Sequence, residues 1–204
     1  MIKLLIVYVH LLATCAALGA IITTDLRLIS ELARYPGRIA PPERFVMRLI
    51  SGALFVLCAS GGALLWIGLG ESPEYLNPKL QAKLLLVGAI VCNAVLLHQR
   101  TFPRLERDDV LSPFALGDVC GVAVPVALSN SLWLFCAFLG IARPWNHGVL
   151  VSEVLALAAI LFAFSFVCAL LVLGLASRTR PRQRQDWIDG LKTRIGTWSN
   201  ALGS

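Results

Sequence analysis

The chain has 204 residues, 57% of them hydrophobic and 15% charged, with a mean hydropathy of +0.76. A water-soluble domain of this length carries more charge on its outside, so the composition excludes an ordinary soluble enzyme and fits one compact polytopic membrane domain. The excess of 18 Lys and Arg over 12 Asp and Glu lies in loops and tail between apolar runs, which points to a lipid surface as partner and away from nucleic acid.

The first apolar run covers about residues 2–24. Lys3 followed by apolar and then small residues resembles a signal peptide, and Leu12-Ala13-Thr14-Cys15 resembles a lipoprotein box. A run of about 20 residues is bilayer length rather than a short signal core, so a retained helix is expected. The second run, about 44–69, follows Pro41-Pro42, which suits a helix start because proline lacks only a donor that is free there anyway. The third covers about 80–99, the fourth 114–141 and the fifth 148–175. In lipid every backbone N–H must be paired within its own segment, so all five are expected to be helices. Residues 1–177 then form an all-α membrane domain, a five-transmembrane-helix bundle.

After the last span, residues 178–204 begin as a basic linker. Trp187, Leu191, Ile195, Trp198 and Leu202 then recur every three or four residues, as in an amphipathic helix lying on the cytoplasmic leaflet. Orientation follows from basic residues. Fourteen of the 18 fall in the connections between spans 1 and 2 and spans 3 and 4 and in the tail; only Lys3, Lys79, Lys83 and Arg143 lie on the other side. Positive-inside bias puts the fourteen in the cytoplasm, the N-terminus outside and the C-terminus inside. A multi-pass protein of a bacterial inner (plasma) membrane is the expected localisation.

Ionisable groups at membrane depth cost roughly 2.5–3.5 kcal/mol each on insertion scales, so each needs a reason. His10 lies about 12 Å below the outer surface at 1.5 Å per residue. At similar depth the fourth span offers Ser129, Asn130, Ser131 and Trp133, and the second offers Gly61-Gly62, which admit a close helix or a flat ligand. Asn93 lies deeper, and Lys83 near the outer mouth. His10, Lys83, Asn93, Asn130 and Trp133 are therefore the candidate cofactor residues: a neutral imidazole among hydroxyls and amides suits haem b iron or a quinone carbonyl. The competing reading is an interhelical hydrogen bond that only fixes packing. At the cytoplasmic end Asp25, His98 and Asp118 are candidate ligands of a divalent metal; pairing of the aspartates with Arg48 and Arg100 is the alternative. His147, in an external loop, is a third ligand or simply solvated.

Six cysteines, all in apolar runs and none in a CxxC pair, read as buried thiols. No phosphate loop, HExxH, GxSxG or paired-carboxylate motif is present. His10 and His98 differ in depth by roughly 15 Å, so one haem iron cannot be held by both.

Helix 1 carries His10, Gly19 and Asp25-Leu-Arg27, and helix 3 is introduced by Tyr75-Leu-Asn-Pro78-Lys-Leu-Gln-Ala-Lys83. Over about its first 100 residues the chain resembles small bacterial membrane families of the copper-resistance CopD type and the HemJ type of protoporphyrinogen oxidase. It departs from them in having Ala17-Leu18 where a tryptophan is common, and in its fifth span. The resemblance implies a role for His10 and Lys83 in haem association and activity. Two other readings stand beside a redox protein. One is a non-catalytic accessory or assembly subunit of a larger membrane complex, or a homo-oligomer; the other is a small solute or metal transporter, disfavoured by the lack of Met-rich ligands and of any repeat.

Overall fold

The computed structural model describes residues 1–34, 42–105, 116–146 and 148–178. The expected amphipathic tail helix and His147 lie outside the described residues. Every described regular element is a helix: α1 (Ile2–Arg34), α2 (Arg44–Glu71), α3 (Pro78–Leu96), α4 (Phe102–Leu105), α5 (Leu116–Ile141) and α6 (Val151–Arg178). Five of them, with α3 carried on through a π turn at Leu97–Thr101, are long and apolar enough to cross a membrane. That is the expected number. The boundaries move in places: α1 runs ten residues past the expected stop at residue 24, and α6 begins at Val151 rather than at residue 148.

Local chemistry explains the ends. Pro78 occupies the first turn of α3, and the Asn77 side chain accepts from the Leu80 N–H at 3.0 Å. Glu153, in the first turn of α6, reaches back to accept from the Leu150 N–H at 2.9 Å, half of a capping box. Hydroxyls within the spans bond to their own helix: Thr14 to the His10 carbonyl at 2.8 Å, Thr23 to Gly19 and Thr24 to Ala20 at 2.7 Å. No water is needed to satisfy them.

α1 and α2 pack along one another as a hairpin, through small residues such as Ala17 and Ala53, which let the backbones approach. Ion pairs bracket it: Lys3 holds Glu71 at one end, and Arg27 holds Glu31 and Glu43 at the other. The Arg27 pairs occupy the end where pairing of Asp25 with Arg48 or Arg100 was the alternative expectation. α5 packs on α3 and α6 and also meets α1, which makes it the central helix. More than half of its apolar window is buried (56%), against 11% for α2 and for α6. Ala82, Leu86, Ile90 and Asn93 form the face of α3 that enters the core with Leu132, Phe135 and Leu139 of α5 and Val154 of α6. Large apolar side chains such as Phe55, Trp66, Ile160 and Phe164 stay exposed. At about 25 cal/mol per Å² such a surface is untenable in water and costs nothing in hydrocarbon.

Candidate functional site

His10 is half-buried where α1 passes α2. Its Nδ1 lies 2.8 Å from Ser60 Oγ, and Ser60 is itself buried. The single hydroxyl proton of Ser60 is committed to the Val56 carbonyl, 2.6 Å away on its own helix. Ser60 Oγ is then left as an acceptor, so a neutral His10 carries its proton on Nδ1 and presents a lone pair at Nε2. Gly61 follows directly, and a Cβ there would stand 3.5 Å from His10 Cε1, so the glycine lies close beside the imidazole.

Lys83 comes within electrostatic reach of His10 from α3. Its Nζ sits 3.6 Å from where a Cβ of Gly140 would be, in the last turn of α5, and near the buried thiol of Cys136. No hydrogen-bond or ion-pair partner of Lys83 is present among the described residues. One turn earlier, Lys79 Nζ donates at 3.0 Å to the Ala142 carbonyl, just past the C-terminal end of α5, which also accepts from the Trp145 N–H at 3.2 Å.

Of the other expected cofactor residues, Lys83 alone lies within electrostatic reach of His10; the rest have partners elsewhere. Asn130 interacts with the Asp25 carboxylate rather than with His10. Asn93, 2% exposed, donates from Nδ2 to the Pro125 carbonyl at 2.8 Å, while its Oδ1 is buried without a partner. Pro125 sits inside α5 and has no N–H to give the Gly121 carbonyl, so Asn93 ties α3 to a turn that proline has already loosened. Trp133 is buried within the α5 packing core. The imidazole of His98 is exposed, with Nδ1 3.0 Å from the Ala94 carbonyl, Nε2 3.5 Å from Ser51 Oγ, and an edge contact with Phe102. Asp118 begins α5, but its side chain is outside the described residues. Among the described residues no three His, Cys, Asp or Glu side chains gather as a metal site.

No family model, curated protein or solved structure matches this chain.

Ser60, Lys79 and Arg143 were not among the expected site residues. For Ser60 a signal was present: Ala59-Ser60-Gly61-Gly62-Ala63 is the longest run of small residues in α2, and such runs mark close helix contact.

Proposed function

We propose that this is a multi-pass protein of a bacterial inner membrane, N-terminus outside and C-terminus cytoplasmic, that holds a redox cofactor, haem b or a quinone, at His10. The observation carrying this reading is the Ser60–His10 hydrogen bond at 2.8 Å. Metal-ligating histidines usually donate their second N–H to a fixed acceptor, which sets the tautomer and raises basicity; Ser60 supplies that acceptor here. An Nε2 lone pair suits haem iron, or the O–H of a quinol. It does not suit donation to a quinone carbonyl, for which Lys83 is the available donor. The residues present therefore fit haem: His10 would hold its iron through Nε2, and Gly61 leaves room beside the imidazole. A bound haem would supply one-electron chemistry. The chain's own contribution is to fix the His10 ring, hold its proton on Nδ1, and bring one cation within reach. The resemblance of helix 1 and of the approach to helix 3 to the HemJ and CopD types supports the same pair of residues.

The test is an absorbance spectrum of the full chain purified after haem supplementation. A Soret band that disappears in His10→Ala is the expected result. A colourless wild-type protein, or a band unchanged in His10→Ala, removes the haem reading and leaves the accessory-subunit one in its place.

A further inference from the structure

Four basic residues lie at the end of the bundle that carries the α2–α3 and α5–α6 connections: Lys3, Lys79, Lys83 and Arg143. Lys3 is neutralised by Glu71. The other three converge. Lys79 and Lys83 are one turn apart on α3 and so share a face. Both reach the last turn of α5, Lys83 beside Gly140 and Lys79 on the Ala142 carbonyl, and Arg143 is the next residue along the chain. α3 also packs against the 3-10 turn Arg143–Asn146. Acidic side chains of this end are turned to other work or stand apart: Glu71 holds Lys3, Glu153 caps α6, and Glu74 is exposed with no bond to any of the three. None of the three cations has a carboxylate partner among the described residues.

Capping of α5 accounts for part of this. A helix C-terminus offers about half a negative charge, and Lys79 uses it. Half a charge does not balance three. Lys83 and Arg143 both act on Lys79 at electrostatic range, like charges so gathered repel, and the partial burial of Lys83 raises that cost. An arrangement like this persists where an anion completes it.

We propose that Lys79, Lys83 and Arg143 form the binding site for the anionic headgroup, phosphate or carboxylate, of an amphipathic ligand whose apolar body lies in the membrane. Lys83 provides the deep contact, Lys79 and Arg143 the rim, and the bare Cα of Gly140 leaves space against the helix end. Two sources carry that chemistry: an anionic phospholipid, or a dicarboxylate cofactor such as haem. Only the second rests on the His10 reading.

The experiment uses the full chain in an uncharged detergent. Short-chain phosphatidylglycerol is titrated against phosphatidylcholine of equal chain length by native mass spectrometry, and haem against its dimethyl ester by difference absorbance. At least one anionic ligand is expected to bind about tenfold more tightly than its neutral counterpart. That preference should collapse towards unity in K79Q/K83Q/R143Q, fall about threefold in the exposed single variant R143Q, whose folding is not at stake, and survive in K3Q. Equal binding of charged and neutral forms in the wild type, or a preference that survives in R143Q and the triple variant, overturns the proposal. Which arm shows the preference identifies the source. Binding of the ester and haem alike, abolished by His10→Ala, together with no preference for phosphatidylglycerol, would remove the anion site and spare the cofactor reading. A phosphatidylglycerol preference with no haem binding would do the reverse.

Discussion

At the scale of single residues, the consequence of Ser60 is the sharpest. Removing its hydroxyl leaves His10 in place but frees Nδ1 to lose its proton to Nε2 or to swing from the α2 face. Partners of metal-bound histidines contribute about 10–100-fold to affinity, while interhelical hydrogen bonds in membranes average only about 0.6 kcal/mol. Ser60→Ala is therefore expected to weaken haem binding by about tenfold or more while shifting the unfolding transition in detergent only slightly. Affinity equal to wild type in a haem titration would show that the hydrogen bond only fixes packing. That His10 must be satisfied by some neighbour is legible in the sequence, because an imidazole about 12 Å deep needs a reason whatever surrounds it. Its partner is not legible. Counting depth from helix ends pairs His10 with Asn130, yet Asn130 meets Asp25, 15 positions further along α1. Counting assumes upright spans with level ends; α1, at 33 residues against 26 for α5, has room to run well past its neighbour.

At the scale of elements, helix identity and approximate span are legible because lipid leaves the backbone no other choice. Connections depend on particular contacts that no hydropathy profile carries. The turn from α2 to α3 closes with Tyr75 lying over Gly68, so tightly that a Cβ at Gly68 would collide with the Tyr75 ring. The Ser72 N–H bonds to the Gly68 carbonyl at 3.0 Å in the same turn, and Asn77 starts α3 two residues beyond Tyr75. Gly68→Ala gains about 1 kcal/mol of helix propensity but forces the ring away, and overpacking of this kind costs about 1–3 kcal/mol. A net loss of up to about 2 kcal/mol is expected, measured by denaturant titration in detergent. In the background of Tyr75→Leu the same substitution should become neutral or stabilising. An equal loss in both backgrounds would mean that the ring is not what the glycine accommodates.

At the scale of the whole molecule, the five apolar runs look alike in sequence, but their roles differ. α5 is central and α6 peripheral, though both are strongly apolar. α6 is as rich in small residues as α5, so composition alone does not separate them; what differs is that α5 buries Ala123, Ala127 and Ser131 one turn apart on a single face, while α6 leaves Phe164 exposed. In lipid, burial against protein has no hydrophobic incentive over burial against acyl chains, so close backbone approach decides which helix is enclosed. The same solvent dictates sidedness. Among the described residues Arg27, Arg44, Arg48 and Arg100 fall at one end of the bundle, and the few basic residues at the other are paired or clustered. A reporter enzyme active only outside the cytoplasm, inserted between Arg143 and Asn146, is expected to be active; fused after Ser204, it should be silent. Opposite signals from the two sites require an odd number of spans between the N-terminus and the tail if the N-terminus, tagged separately, is also outside. Activity at both sites would break the five-span bundle, and activity at the tail alone would turn it over. In the second case Lys79, Lys83 and Arg143 would face the cytoplasm, where anionic lipid is most abundant in many membranes, and the headgroup site would keep its chemistry while changing its compartment.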